Sequence, residues 1–229
     1  MNNQMIEREI IGNEKAICRE IGEGSGKTIL DVGCGTGGLC RALVDIGANV
    51  TGIDPSQNAI EQAKKLGDGA TYQVATLNDL DASPNSFDVV IFCTSLHHIP
   101  DMAGALRGAL NLVKPDGKII VLEPQTDDPL YPVYCWLDDE KQVQIEAQAA
   151  ISTLIEAGNL TRCKTHYLNK KYRYACLDHL IDDMMEVDES RTLSNEARDK
   201  MAVAFGAAIQ QDAEGQYIDH WYRLDVLEA

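Results

Sequence analysis

The segment ILDVGCGTGGLC, at residues 29–40, has the residue types and spacing of a loop that binds a nucleotide or a nucleoside. Two patterns overlap in it: G-x-G-x-x-G, which begins at Gly33, and D-x-G-x-G-x-G, which begins at Asp31. Glycines in either pattern let the chain turn tightly after a strand, and they expose backbone amides that a Cβ would shield from a ligand. The first pattern is typical of dinucleotide binding, and the second indicates a different nucleoside ligand.

A second acidic residue supports a nucleoside ligand. Asp54 ends the next apolar run and follows Gly33 by 21 residues. A carboxylate at that position can accept hydrogen bonds from both hydroxyls of a ribose. The glycine loop and Asp54 together predict an adenosine-type ligand, against the alternative of a structural glycine turn followed by an unrelated acid.

Asp31 separates the two classes of cofactor. A carboxylate beside a pyrophosphate would repel it, whereas a cationic ligand would be attracted. S-adenosylmethionine carries a sulfonium and an α-ammonium group and has no phosphate. No Lys or Arg lies between Leu30 and Cys40, and Arg41 is the first basic residue after the loop. These residues favour S-adenosylmethionine and predict methyl transfer. The alternatives are an NAD(P)-dependent oxidoreductase and a non-catalytic S-adenosylmethionine-binding protein.

Two adjacent histidines are the candidate catalytic residues. His97 and His98 follow the fourth apolar run, and either imidazole could accept a proton from an acceptor hydroxyl or thiol. The alternative is that they pack beneath the cofactor or close the loop before Pro100. Cys93 lies four residues before His97, but a buried cysteine acting as a small apolar side chain is a better interpretation than a nucleophile.

Apolar runs alternate with amphipathic segments through the first half of the chain. Five strands are predicted, at residues 28–33, 49–54, 70–75, 86–93 and 118–123. Residues 38–46, residues 56–66 and the segment capped by Asp101 have helical spacing. Short, continuously apolar strands separated by helices indicate a parallel sheet that is covered by helices on both faces.

The part of the chain after Glu123 departs from this alternation. It predicts a helix at about 140–157, strands at 160–168 and 217–227, and a helical insertion at about 177–213. The 229 residues are therefore expected to form one doubly wound α/β domain with a mostly parallel seven-stranded sheet. Its expected parts are an N-terminal helical segment at 1–22, a cofactor-binding core at 27–124 and a variable substrate-side region at 125–229.

The substrate-side region is rich in aromatic side chains with polar tips, which suit a lid or an acceptor pocket. They are His166, Tyr167, Tyr172, Tyr174, His179, His220, Trp221 and Tyr222. Ordinary packing on a sheet face is the alternative. The acidic run at 181–189 could attract a cationic amine, although acidic helices are usually solvated.

Composition narrows the class of partner. The chain has 36 acidic and 20 basic residues and a net charge of −16, which disfavours nucleic acids and anionic membranes as partners. The basic stretch at 164–173 is interpreted as solvated strand rather than as an RNA-binding patch. Seven scattered cysteines without a C-x-x-C pair predict neither a disulfide framework nor a metal site, and they indicate a cytoplasmic protein. No signal peptide or membrane span is predicted, and the oligomeric state stays open.

Four segments occur in the order and spacing of a known family. ILDVGCGTGGLC resembles the first motif of the class I S-adenosylmethionine-dependent methyltransferases. The segments at 50–56, 85–101 and 112–124 resemble the acidic second motif, the fourth-strand motif and the stretch that follows it. The resemblance covers about residues 27–124 and points to the small-molecule methyltransferases, whose LHHIPD-like segment recurs here. Residues after 125 carry no such resemblance.

The resemblance implies roles for matching residues and a small soluble molecule as methyl acceptor. The implied cofactor-binding residues are Asp31, Gly33, Cys34, Gly35, Gly37, Asp54, Pro55, Thr76, Leu77, Phe92 and Cys93. Asp31 would lie near the methionyl moiety, Asp54 would hold the ribose, and Pro55 would pack on the adenine. Phe92 and Cys93 would face the methionyl amino group. Thr76 departs from the family, which often has an acidic residue there to bond the adenine.

Overall fold

The computed structural model describes residues 6–67, 69–187 and 191–228 of the chain. Five strands form the parallel centre of one sheet: β2 (Thr28–Val32), β3 (Asn49–Asp54), β4 (Thr71–Val74), β5 (Phe87–Cys93) and β6 (Val113–Pro124). Their order across the sheet is β6-β5-β2-β3-β4, so the order in which strands are added to the sheet reverses after β4, and β5 pairs with the other side of β2. This reversal opens a crevice at the carboxyl ends of the strands, where α/β folds bind ligands.

Two long strands extend the sheet beyond β6. Strand β9 (Gly215–Glu228) runs antiparallel to β6, and β7 (Thr161–Tyr172) runs antiparallel to β9. The doubly wound α/β fold with a mostly parallel sheet is therefore confirmed. Among the described residues the strand count is nine rather than the predicted seven.

The two additional strands are short. Strand β1 (Glu9–Ile10) pairs with the outer edge of β7, and β8 (Gln210–Asp212) forms a hairpin with the start of β9. Segments of two or three residues are too short to show the periodicity that predicts a strand. Pairing with an edge that would otherwise expose unpaired backbone groups is what makes them extended.

Helices cover both faces of the sheet because neighbouring strand residues point in opposite directions. Ile29 packs with the helices α1 (Asn13–Ile21), α2 (Gly38–Asp45) and α3 (Gln57–Leu66). Leu30 packs on the other face with α4 (Met102–Leu112) and α6 (Lys141–Glu156). The two apolar layers leave the carboxyl edge of the sheet as the place for polar groups.

The N-terminal helix is shorter than the predicted helical segment at 1–22. It spans Asn13–Ile21 and begins after Gly12, an extended residue that separates it from β1. Residues 1–5 lie outside the described residues.

A helical cap lies after β6 and between β7 and β9. It consists of α5 (Tyr131–Tyr134), α7 (Leu177–Val187) and α8 (Asn195–Ala208), of which the last two form the predicted helical insertion. Apolar residues of these helices pack on Tyr174 and Ile218, which follow β7 and begin β9. The cap therefore sits at the carboxyl end of the sheet. None of the described helices is both long and apolar enough to cross a membrane.

Candidate active site

The glycine loop after β2 is compact on one side and open on the other. Gly33 has a φ of 73°, and a Cβ there would lie 2.5 Å from the Cβ of Ser95. Gly35 has a φ of 52°, and a Cβ there would meet no atom within 4 Å. Gly33 thus permits close packing against the loop after β5, whereas Gly35 leaves an open approach to the backbone. Cys34 is buried, and Gly37 is the N-cap of α2, so both shape the loop from within.

Asp54 fastens this loop to the end of β3. Its Oδ2 accepts a hydrogen bond from the backbone N–H of Gly35 at 2.9 Å, and its Oδ1 accepts one from the N–H of Ser56 at 2.8 Å. Each carboxylate oxygen keeps further acceptor capacity. Asp54 can therefore hold the loop and still accept hydrogen bonds from a ligand.

A first cavity of about 540 Å³ opens in front of this loop, and we call it the loop cavity. Five of the predicted cofactor-binding residues line it: Gly33, Asp54, Pro55, Thr76 and Leu77. Its other lining residues are Val32, Ala75, Asn78, Thr94, Ser95, His98, Ile99, Pro100, Asp101, Gly104 and Ala105. None of these described lining residues is Lys or Arg, so no cationic side chain of the lining would balance the charge of a pyrophosphate. Apolar walls and a carboxylate match an adenosine.

Asp31 is a buried acid behind the loop. Its Oδ2 accepts a hydrogen bond from the Cys40 thiol at 3.3 Å, and its Oδ1 has no hydrogen-bond partner among the described residues. Burial raises the pKa of Asp31 to about 7. A buried acceptor without a donor is costly, and a cationic ammonium group would satisfy it. Asp31 therefore fits the ammonium group of S-adenosylmethionine and would be repelled by a phosphate.

The other six predicted cofactor-binding residues are not among the residues that line the loop cavity: Asp31, Cys34, Gly35, Gly37, Phe92 and Cys93. Phe92 has no exposed surface and packs with α4 and α6, while Cys93 packs on the opposite core layer. Burial raises the pKa of the Cys93 thiol well above its usual range, which makes it a poor nucleophile. The next two residues, Thr94 and Ser95, line the cavity in their place because β5 ends at Cys93.

Thr94 lies at a strained position of the chain. Its φ is 54°, a conformation that a β-branched residue rarely adopts. Its hydroxyl donates to the carbonyl of Cys93 at 2.7 Å, and Ser95 Oγ donates to the carbonyl of Val32 at 2.6 Å. Strain of this kind concentrates at functional sites. Nothing in the sequence pattern singled out these two residues.

A second cavity of about 340 Å³ lies between the sheet edge and the helical cap, and we call it the cap cavity. Thr94 and His98 line both cavities. The other lining residues are His97, Pro124, Leu130, Tyr134, Glu140, Tyr172, Tyr174, Leu180, Asp183, Met184, Arg191, His220 and Tyr222. The two cavities therefore meet at the loop that follows β5.

The predicted aromatic pocket is formed by half of its expected members. Tyr172, Tyr174, His220 and Tyr222 line the cap cavity. The other four lie elsewhere: His166 contacts Glu20 at 3.0 Å, Trp221 stacks under Arg8, and neither Tyr167 nor His179 is among the lining residues. Asp183 and Met184 of the acidic run line the cavity, and residues 188 and 189 of that run lie outside the described residues.

His97 is held by two carboxylates. Its Nδ1 bonds Glu123, a fully buried acid that also accepts the N–H of Leu96 at 2.9 Å. Its Nε2 lies 3.9 Å from Glu140. Burial lowers the pKa of His97, but the bond to Glu123 and the charges of Glu123 and Glu140 outweigh this effect, so the pKa is raised.

His98 has a different environment from its neighbour. Partial burial and the charge of His97 lower the pKa of His98 to about 4. Potential ligand atoms of His97, His98 and Glu140 lie within 4.8 Å of one another, so these three residues could hold a metal ion. The sequence analysis predicted no metal site because the cysteines lack paired ligand spacing, and the three residues brought together here include no cysteine.

His220 and Asp128 form a buried pair that the sequence did not indicate. His220 Nδ1 lies 2.6 Å from Oδ2 of Asp128, a residue 92 positions away in the chain. The sequence feature that could have pointed to Asp128 is the pair of acidic residues in the loop that follows β6 at the carboxyl edge of the sheet.

Comparisons with known proteins agree with this geometry. Residues 30–121 match the methyltransferase domain family. The ubiquinone biosynthesis O-methyltransferase of Thiobacillus denitrificans is 40% identical to this chain over 98 residues, which cover 41% of this chain and 42% of that protein. The chain thus matches less than half of that relative's length.

Solved structures resemble nearly the whole chain at low identity. A putative methyltransferase of Bacillus halodurans has a TM-score of 0.66 at 16% identity and covers 94% of this chain and 98% of its own. The phosphoethanolamine N-methyltransferase 2 of Haemonchus contortus was solved with S-adenosyl-L-methionine and has a TM-score of 0.58 at 20% identity. The match covers 94% of this chain and 52% of that one. The resemblance predicted from the motifs is confirmed: residues 30–121 match the methyltransferase domain family, and the described chain shares its fold with solved methyltransferases.

Proposed function

We propose that this protein transfers a methyl group from S-adenosylmethionine to a small acceptor. The observation that carries the proposal is that the loop cavity and the cap cavity meet at Thr94 and His98. A donor in one cavity and an acceptor in the other would bring their reacting atoms together at this junction, and alignment is the main contribution that a protein makes to such a displacement.

The loop cavity is the proposed cofactor site. Asp54 would accept hydrogen bonds from the ribose, Pro55 and Leu77 would flank the adenine, and the partnerless Oδ1 of Asp31 would accept one from the ammonium group. S-adenosylmethionine supplies, when bound, a methyl group already activated by the sulfonium. The protein's residues would bind, orient and exclude water.

The cap cavity is the proposed acceptor site, and a hydroxyl is the proposed methyl acceptor. Its size suits a small molecule, and its walls combine tyrosine rings with Leu130, Leu180 and Met184. The name of the Thiobacillus denitrificans relative specifies O-methyl transfer. We therefore infer a small, largely apolar hydroxylated acceptor, with residues 27–124 serving the cofactor and residues 125–229 most of the acceptor.

The alternatives are less well supported. The described lining residues of the loop cavity include Asp54 and Asp101 but no Lys or Arg, so no cationic side chain there would balance the charge of the pyrophosphate of NAD(P). A non-catalytic binding protein would not need a second cavity beside the first. Free thiols at all seven cysteines favour the cytoplasm as the location, and the acidic net charge disfavours nucleic acid as a partner.

Binding and turnover test the proposal together. Calorimetry should show that S-adenosylhomocysteine binds and that NADH does not, and a panel of phenol, catechol, aniline and ethanolamine should yield S-adenosylhomocysteine from at least one hydroxylated member. Asp54→Asn should weaken S-adenosylhomocysteine binding by about 10- to 100-fold, because hydrogen bonds to a charged group contribute about 1.5–3 kcal/mol. The control Asp116→Asn changes an exposed acid outside both cavities and should bind normally. Binding without turnover of any acceptor would support the non-catalytic alternative.

A further inference from the structure

Asp128 is built to orient His220. Its side chain is fully buried, and its Oδ2 accepts the N–H groups of Leu130 at 3.2 Å and Tyr131 at 3.1 Å. Its Oδ1 accepts the N–H of Trp221 at 2.7 Å. All three are donors, so the carboxylate acts here as an acceptor only. Nδ1 of His220, 2.6 Å from Oδ2, must then carry the hydrogen of that bond.

This tautomer leaves Nε2 of His220 as the ring's acceptor. None of the described residues forms a hydrogen bond with Nε2, although the side chain is only 10% exposed and lines the cap cavity. The titratable groups that face the ring are Asp128 and three tyrosines from three elements: Tyr134 at 6.4 Å between centroids, Tyr172 at 5.4 Å and Tyr222 at 4.4 Å. These rings fix the imidazole in place, so its free nitrogen is oriented in advance.

The other histidines of the cavity are less suited to receive a proton. Both nitrogens of His97 face carboxylates, Glu123 by a hydrogen bond and Glu140 at 3.9 Å. His98 is half-exposed, and its nearest carboxylate is Glu140 at 3.7 Å, not a buried partner. His220 is the histidine of this cavity with one nitrogen bound to a buried carboxylate and the other free.

We propose that His220 is the general base of the reaction and that Asp128 is its positioning residue; this inference rests on the proposed methyl transfer to a hydroxyl. A lone pair of the acceptor oxygen forms the new O–C bond while the C–S bond breaks and its electron pair remains on sulfur. The hydroxyl proton passes to Nε2 of His220. Asp128 stabilises the resulting imidazolium, which returns the proton to solvent after the product leaves.

The tautomer can be measured without cofactor or acceptor. In protein labelled with ¹⁵N-histidine, the signals lost in His220→Asn identify His220. We expect the nitrogen shifts of a ring protonated at Nδ1 and unprotonated at Nε2. A ring protonated at Nε2 would overturn the proposal, because that nitrogen could not accept a proton.

Kinetics test the role itself. His220→Asn keeps an amide that can donate to Asp128 and removes the base, so kcat at neutral pH should fall by about 100-fold or more. S-adenosylhomocysteine affinity should stay unchanged. Raising the pH toward the pKa of the acceptor hydroxyl should restore kcat, because an ionised acceptor needs no base. If the variant were slow only because side-chain packing is lost, high pH would not restore kcat. The control His166→Asn changes a histidine of β7 that lines neither cavity, and it should behave as wild type.

The outcomes separate this inference from the proposed function. If wild-type protein turns over no acceptor in the panel, the proposed function fails whatever the tautomer. Suppose that the wild type turns over an acceptor. The assignment of His220 as the base is then wrong if His220→Asn keeps kcat within threefold of the wild type. It is also wrong if kcat falls in this variant and high pH does not restore it. Asp128→Asn should lower kcat by about tenfold with little change in KM. Should this variant not fold, the tautomer and the His220→Asn profile still decide.

Discussion

The thiol of Cys40 donates a hydrogen bond to Oδ2 of Asp31, and Oδ1 of the same buried carboxyl has no partner among the described residues. Burial raises the pKa of Asp31 to about 7, so a large part of the protein carries a neutral Asp31 at neutral pH before a ligand binds. The acid is therefore poised to lose its proton when a cation arrives beside it.

Proton release should accompany cofactor binding. An ammonium group near Asp31 lowers its pKa, so S-adenosylhomocysteine binding at pH 6.5–7 should release a proton, and affinity should rise with pH until about 7. Calorimetry in two buffers of different ionisation enthalpy measures the release. In Asp31→Asn the heats in the two buffers should differ much less. Equal heats for the wild type would show that Asp31 is already ionised or lies away from the ammonium group.

The same acid should make the ligand-free protein less stable as pH rises. The folded pKa of about 7 lies above the ordinary value of 3.8, so the folded state binds the proton more tightly than the unfolded state. The contribution of Asp31 to stability is then full below about pH 4 and is lost as pH rises to about 7, by up to about 1.4 kcal/mol per pH unit. Urea unfolding should show that Asp31→Asn becomes more stable relative to the wild type as the pH rises from about 4 to about 7. A difference in the free energy of unfolding that does not change with pH would contradict this prediction.

The close packing at Gly33 should make it intolerant of a side chain. In Gly33→Ala the new Cβ would lie 2.5 Å from the Cβ of Ser95 and the residue would keep a φ of 73°. Gly26 is a matched control, since it has a φ of 78° and open space around its Cβ position. Gly26→Ala should cost about 1 kcal/mol from backbone strain alone. Gly33→Ala should cost clearly more in thermal unfolding and should weaken S-adenosylhomocysteine binding; equal losses would mean that the loop shifts freely.

A polar cluster at the amino end of the sheet should support stability but not binding. Asp88 accepts hydrogen bonds from the N–H of Thr28 at 2.8 Å and from Nζ of Lys114 at 2.8 Å. Burial opposes ionisation, but the bonds to Lys114 and Thr28 prevail and lower the pKa of Asp88 to about 2. Its stabilisation is present above the ordinary pKa of 3.8 and is lost as pH falls through about 2.

Asp88→Asn should therefore destabilise the protein by about 1–2 kcal/mol at pH 7 and leave S-adenosylhomocysteine affinity unchanged. Chemical unfolding at pH 7 and at pH 3 checks this, because the difference between variant and wild type should shrink in acid. Weaker binding in the variant at pH 7 would show that the two ends of the sheet are coupled.

The sequence by itself determined the features that depend on local patterns. The continuous apolar run that includes Ile29 and Leu30 predicted a strand buried on both faces, because neighbouring side chains point in opposite directions. The glycine loop and Asp54 were recognisable because the tight turn after a strand needs particular residues at particular spacings. These local rules sufficed for the α/β class and for the five residues of the loop cavity that were predicted to bind the cofactor, but not for most of its lining.

Only the tertiary structure decided which side chains meet across long distances in the chain. It paired His220 with Asp128, and His97 with Glu123, by bringing β9 and the end of β6 to the same edge of the sheet. It also moved the lining of the loop cavity from Cys93 to Thr94, because the last residue of a strand points into a core layer and the next one leaves it. Strand register and the docking of the helical cap depend on packing between segments, and no spacing within one segment encodes that packing.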